Sequence, residues 1–458
     1  MLDNKFSAIA EFLSGVLYLA SMVAFVFVVF LCVFFEYFDP YFISVVFFCG
    51  SLAFQLGVVF DNRAGGISFL VSFFMLMFIA YPAMVQVGLS IYPWRSVGYS
   101  SQELADAFVV LAVAMLSFSV ASFRFRKYNV IKTQSVSDIQ QYYKYFVTVL
   151  TLCLFIIPFV GMSLLLSDRS VIGDLSNETG VRQQFVYIGR SLSLFVMLYF
   201  LVLSRNDLRN VKYWLAFAVS LVVFFIFNYP AAVPRFQLLG CLLAVLAVFV
   251  SFFRVDIKLI LLISFVFFLF YFFPSIKMLG YGGDVSDVIL YMLELDIREY
   301  ILRVDFDAFM QIVDTVSYAK SEGYRYGYNF LGVLLFFVPR GIWPQKPIDS
   351  GDLVSTYHGY YYNNVSSPLP AEAYISFGII GVVLVFYIFS LYIRKIEAYV
   401  RCCDITGYVG ISLLLYFMLI GYSVIIMRGA LNGVAPQFAS AFLAYFFFVY
   451  IVRKPFRD

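Results

Sequence analysis

The chain has 458 residues, of which 63% are hydrophobic and 13% charged, and its formal net charge is +3. That balance excludes a soluble globular fold, and so small a positive excess makes no case for a nucleic-acid partner. It predicts an all-α polytopic integral membrane protein, because helices satisfy their own backbone polar groups in lipid.

The first apolar run has no small-residue cleavage site after it and reads as an uncleaved first span. In all, about twelve apolar segments approach the roughly 20 residues that a transmembrane helix needs. They lie near 12–35, 41–60, 67–90, 104–123, 146–167, 186–204, 213–229, 236–253, 259–276, 369–392, 405–427 and 434–452. Basic clusters at Arg63, Arg124–Lys144, Arg205–Lys212, Arg254–Lys258, Arg394–Arg401 and Arg453–Arg457 fall on one side. With Lys5 they hold 18 of the 31 lysines and arginines. The positive-inside rule puts this set, and both termini, in the cytoplasm. The chain then divides into nine spans over 1–276, a large external loop over 277–368 and three spans over 369–458. None of the six cysteines falls in an external loop, so no structural disulfide is expected.

Three external segments follow from this topology: 91–103, 168–185 and 277–368. A connection as long as the last is usually functional. Within it, Asp284 to Tyr300 reads as a helix, with Glu294/Arg298 and Glu299/Arg303 spaced i,i+4 in the favourable order. Phe306, Phe309, Met310, Val313 and Val316 then repeat at helical spacing, with Asp305, Asp307, Gln311 and Asp314 off the stripe. Two amphipathic helices on the outer membrane surface are expected. Asp305-Phe306-Asp307 has the D-x-D spelling of some metal-dependent sugar transferases. On a helix its two acids would point about 200° apart, so it reads as a solvated face. Ser321–Asn329 (SEGYRYGYN) is a Gly/Tyr turn. The apolar run Phe330–Val338 stops at Pro339, too short to span, and predicts a segment dipping into or lying along the membrane.

Behind that run come Arg340, Trp343, Pro344, Lys346 and Pro347. Arg340 and Lys346 suit a phosphate clamp, since the guanidinium fork matches phosphate oxygens. They equally suit snorkelling at the interface, with Trp343 in an aromatic belt. Arg169 and Arg428 end other spans on the same side, and with Arg340 they give three guanidinium groups able to converge on one anion. Glu372, at the start of the tenth span, is either a general base or an acid favoured by the helix dipole. His358, the only histidine, is a second base candidate, and Asp349 and Asp352 are two more. No Gly-rich nucleotide loop, H-E-x-x-H motif or Cys/His metal set is present, so neither a cofactor nor a metal is implied.

FLGVLLFFVPRGIWPQKPIDSG (330–351) followed by PLPAEAYISFGIIG (368–381) resembles the signature of O-antigen polymerases, the Wzy-type oligosaccharide repeat-unit polymerases of bacterial inner membranes. Asp305–Ala319 and Ile425–Ala439 add to the likeness, which covers roughly residues 300–440. The family is also described by an Arg, ten residues and a Gly in two periplasmic loops. Arg169 with Gly180, and Arg340 with Gly351, fit that pattern. The resemblance implies a GT-C-like glycosyltransferase fold in the inner membrane. Its substrates would be repeat units on undecaprenyl pyrophosphate, and its partners a chain-length regulator and membrane lipids. Arg169, Arg340 and Arg428 would hold pyrophosphate, Lys346 would assist, and Glu372 or His358 would be the base. An O-antigen ligase and a lipid-linked oligosaccharide flippase are the competing expectations.

Overall fold

The computed structural model describes residues 39–61, 64–95, 98–124, 143–166, 180–230, 232–250, 254–272, 274–275, 285–363, 365–402 and 411–453. Every named element among them is a helix, and the one extended pairing is an isolated bridge between Tyr92 and Arg95. The first is α1 (Pro40–Phe60). Next, α2 (Gly66–Phe74) runs through a π-helical turn (Met75–Ala80) into α3 (Tyr81–Leu89), and α4 (Ser101–Arg124) follows. Then come α5 (Tyr143–Val160), α6 (Met162–Leu166), α7 (Gly180–Asn206), α8 (Val211–Phe227) and α9 (Arg235–Phe249). Next are α10 (Val255–Phe267), α11 (Val285–Glu294), α12 (Ile297–Ile301), α13 (Ala308–Glu322), α14 (Tyr328–Leu334) and α15 (Ser350–Tyr357). The last three are α16 (Leu369–Cys402), α17 (Ile411–Arg428) and α18 (Leu431–Arg453).

Six of the described helical segments are long and apolar enough to cross a membrane, and three more apolar helices are shorter. The chain is therefore a multi-pass helical membrane protein. Helices occupy the described parts of the predicted apolar segments from 41–60 onward, while the segment 12–35 lies outside the described residues. Local signals set several ends. The Asp39 carboxylate accepts from the Tyr41 N–H at 3.1 Å and Pro40 takes the first helical position, so α1 starts there. Pro158 lies in the last turn of α5, and Gly161, at φ +94°, ends it.

The tenth segment needs correction. Leu369–Cys402 is 34 residues long and is broken at Phe377 and Gly378. Gly378 has φ +63° and ψ −151°, a conformation open only to glycine. The break frees the Ile375 carbonyl, which accepts from the Arg325 N–H at 2.8 Å. A short helical piece, 369–376, thus carries Glu372, and the apolar shaft begins after it rather than at 369.

The described helices form two compact units. One contains α1–α4, α10–α15, α16 up to Glu397 and residues 426–433; the other contains α5–α9, most of α17 and α18 from Val434. In the first, the long connection departs from expectation. Asp284–Tyr300 is not one helix, because Asp296 breaks it and caps α12 by accepting from the Arg298 N–H at 2.8 Å. The Glu299–Arg303 pair does form, at 2.6 Å. Nor does α13 lie on a surface with its acids in water. Asp305, Asp307, Gln311 and Asp314 are all buried along with the apolar stripe. The reason is that Asp307, Gln311 and Asp314 make a second stripe at helical spacing, and remote polar groups cover its acids. The Trp94 indole N–H and the Ser366 N–H both donate to Asp307 Oδ2, at 3.3 and 3.1 Å.

Farther along α16, the same unit holds a buried ionic cluster. Arg394 Nη2 lies 3.1 Å from Asp61 Oδ2, and Nη1 lies 3.6 Å from Glu397 Oε2. Glu397 accepts from the Ser68 N–H and hydroxyl at 2.8 and 2.7 Å. Lys258, fully buried, donates to the Asp61 and Ala64 carbonyls at 2.7 and 2.8 Å. The turn between α1 and α2 is thereby tied to α10 and α16.

The second unit packs partly by backbone approach. A Cβ at Gly421 would collide with the carbonyl of Gly240, so α9 and α17 touch at two glycines, as helices in lipid do where small residues face each other. Gly421→Ala is expected to cost about 1–3 kcal/mol, since neither backbone can rotate away. Thermal unfolding of the detergent-purified variant checks this, and an unshifted midpoint would contradict it. Near this contact Ser191 links to Tyr422 (3.1 Å) and Ser440 (2.6 Å), and Gln437 to Gln237 (3.3 Å), so the unit's apolar bundle contains a polar seam.

Candidate active site

The segment after α14 folds back on itself. Arg340 Nη1 donates to the Lys346 carbonyl at 2.8 Å and Nη2 to the Pro347 carbonyl at 3.4 Å. Lys346 Nζ donates to the carbonyls of Phe336 and Val338 at 2.6 and 3.1 Å. The Tyr328 hydroxyl donates to the Gln345 carbonyl, and Trp343 meets the Tyr328 ring edge to face at 5.8 Å. The two cations therefore brace a stiff loop through its own carbonyls. Arg340 remains exposed, as does Pro344, and a guanidinium has five N–H donors, more than these two bonds use. Desolvation first, and the neighbouring Arg340 charge second, hold the Lys346 ammonium below its usual range. Leu334, Phe337 and Ile342 are exposed along the same segment, an apolar surface suited to lipid.

The loop leads into α15 through Asp349, whose carboxylate accepts from the Gly351 N–H at 3.0 Å and caps the helix. Gly351 is needed because a Cβ there would stand 2.8 Å from the Val365 carbonyl. Burial pushes the Asp349 carboxyl up from its usual range, and the charge of Asp352 adds to the effect. The next residue, Ser350, donates to Glu372 Oε2 at 2.7 Å and accepts from Asn329 Nδ2 at 2.7 Å. Glu372 Oε1 accepts from the Leu431 N–H at 3.2 Å, at the start of α18. Asn432 Nδ2 donates to the Ile348 carbonyl at 3.3 Å.

Four stretches distant in sequence thus meet at Glu372: α14, the start of α15, the short piece 369–376, and the α17–α18 turn. Glu372 is 2% exposed, and its partners here are the hydroxyls of Ser350 and Ser367 and a backbone amide. A carboxylate held by neutral donors can take a proton from a hydroxyl brought against it. The sequence singled out Glu372 and Asp349 but missed Ser350, Asn329 and the Leu431 amide. Of these only Ser350, next to a capping aspartate in IDSGD, has a local signal.

His358 belongs to a different network. Its Nε2 lies 3.1 Å from the Asp314 carbonyl and 3.9 Å from Asp314 Oδ1. The Asp314 side chain, fully buried, accepts from Tyr99 (3.0 Å), Tyr360 (2.6 Å) and Arg95 (3.3 Å). Desolvation pushes the Asp314 carboxyl up, opposed by His358, the two phenols and Arg95. This cluster ties the turn after α3 to α13 and to the strap after α15. Asp352 is likewise held, by Asn363 Nδ2 at 2.8 Å. Arg428 ends α17, three residues before the amide that binds Glu372, and is half-buried. Arg169 lies outside the described residues. Gly180 begins α7 in the second unit.

Compared with protein-family models, with curated proteins and with solved structures, the chain matches none of them.

Proposed function

We propose that the chain is a polymerase of lipid-linked oligosaccharide repeat units, an integral-membrane glycosyltransferase with about twelve spans and a GT-C-like fold. It sits in the bacterial inner membrane with both termini cytoplasmic and the 277–368 connection outside. One observation carries the reading. The stretches whose residues resemble O-antigen polymerases meet around one buried carboxylate, Glu372, with a two-cation loop leading directly into that site.

In this reading Arg340, Lys346 and Arg428 hold the pyrophosphate of the donor. The acceptor's sugar hydroxyl attacks the anomeric carbon of the growing glycan. The new C–O bond forms as the bond to undecaprenyl pyrophosphate breaks, and the leaving group keeps the electron pair. Guanidinium groups stabilise the charge that develops on it. The hydroxyl proton passes to the Glu372 carboxylate, with Ser350 orienting it and Asp349 beside it. His358 acts at one remove, by holding Asp314. A chain-length regulator is the expected protein partner.

Arg340→Ala tests the anion role in cells. The expected gel shows lipopolysaccharide capped with one repeat unit and no ladder of longer chains. An unchanged ladder contradicts the assignment, and loss of all capping marks a ligase instead. Arg340→Lys, which keeps charge but not the fork, should give short chains only.

A further inference from the structure

The first unit contains a cavity that the reaction described above does not use. It has a volume of about 300 Å³ and is lined in part by Tyr92, Trp94, Tyr291, Tyr300, Arg303 and Asp305. These come from the turn after α3, from α11 and α12, and from the turn leading into α13. We propose that this cavity is a saccharide-binding subsite that holds a neutral sugar of the glycan while the reacting end lies at Glu372.

Three features point to that chemistry. The first is the wall. Four aromatic residues line it, and aromatic rings suit the C–H face of a pyranose whose hydroxyls project from its edge. The size is at the small end of ligand pockets, which run from roughly 300 Å³ upward, and fits a mono- or disaccharide.

The second is strain. Trp94 has φ +64°, a left-handed conformation that a bulky residue adopts only when its surroundings impose it. Those surroundings are explicit. The Tyr92–Arg95 bridge closes the turn, the indole N–H donates to Asp307, and Tyr362 stacks on the ring at 5.2 Å. A tryptophan held this firmly makes a preorganised platform, where rigidity lowers the cost of binding.

The third is charge. Arg303 is half exposed and already neutralised, with Nη2 on Glu299 at 2.6 Å and Nη1 on the Tyr291 hydroxyl at 2.9 Å. Asp305 is nearly buried, lines the wall, and accepts there from the Tyr300 hydroxyl at 3.4 Å. A carboxylate that accepts and a guanidinium whose charge is spent favour sugar hydroxyls over an acidic sugar.

The choice of a saccharide as the occupant rests on the polymerase reading, while the cavity and its strained platform do not. The test uses the full-length protein in nanodiscs and saturation-transfer difference NMR. The probes are chitotriose and maltotriose, which are neutral, and trigalacturonic acid. At least one neutral trisaccharide is expected to bind wild type and Glu372→Gln equally. Tyr291→Ala and Arg303→Gln should each weaken it about tenfold, the loss of one ring or of the guanidinium that holds the Tyr291 hydroxyl. The inference is overturned if neither neutral sugar binds, if trigalacturonic acid binds more tightly than both, or if both variants keep the wild-type affinity. Assayed beside it, turnover of a lipid-linked repeat unit separates the two claims. Binding without turnover sinks the polymerase and leaves the subsite, whereas turnover without binding sinks the subsite alone.

Discussion

Glu372→Gln is expected to stop chain extension, slowing it by roughly 10²–10⁴-fold, the usual contribution of a positioned general base. Glutamine keeps the shape, and its carbonyl can still accept from Ser350 or from the Leu431 N–H. What it cannot do is take a proton from the acceptor hydroxyl. Initial rates on a purified lipid-linked repeat unit would show the loss, while an unchanged unfolding midpoint would show that the fold is intact. Glu372→Ala is a different experiment. It leaves the Ser350 hydroxyl and the Leu431 amide without their acceptor and costs about 1–3 kcal/mol of stability besides. A glutamine variant that turns over at the wild-type rate would reduce Glu372 to a tie between α15, α16 and α18.

The largest effect on stability is expected at Arg394. Removing its guanidinium takes from the buried carboxylates of Asp61 and Glu397 the cation that stands 3.1 and 3.6 Å from them. Breaking a buried pair from one side typically costs about 3–5 kcal/mol. Arg394→Met fills similar space without charge, so the loss reports the ion pairs rather than a cavity. Thermal or denaturant unfolding in detergent is the measurement. The rate per folded molecule should stay at wild type, because this cluster involves α16 well beyond the break at Gly378. A loss under about 1 kcal/mol would mean that the cluster is wet and screened.

Much of the helical framework was legible because lipid demands it. Long apolar runs must be helices in a bilayer, and Asp39-Pro40 marks the start of α1 with a cap and a proline. The interior of the long connection was not legible. Periodicity placed Asp307, Gln311 and Asp314 in water because they fall off the apolar stripe. Their spacing is itself helical, and that was the signal available. It shows that they share a face, but not that Trp94, Tyr99, Tyr360 and Ser366, from other segments, close over its two acids. The break at Gly378 was hidden for a related reason. A glycine inside an apolar run is common in membrane helices, and the Arg325 amide that reaches the freed Ile375 carbonyl comes from another segment of the chain.

The site was legible in part. Arg340 and Lys346 stood out by type and by the prolines around them. Sequence left open whether they clamp an anion or sit at the interface, and neither reading foresaw that both would brace their own loop. Glu372 was ambiguous between dipole partner and base. Beyond the nearby Ser367, its partners are Ser350, 22 residues upstream, and an amide 59 residues downstream. Contacts at such separations depend on how helices pack, which no local pattern in one chain reports.

The most direct measurement is the reaction of the purified protein with one lipid-linked repeat unit, its products separated by size. A ladder of two, three and more units still attached to lipid is expected, with free undecaprenyl pyrophosphate released at each step. Recovery of only the starting unit, under conditions in which the protein is folded and membrane-embedded, would contradict it.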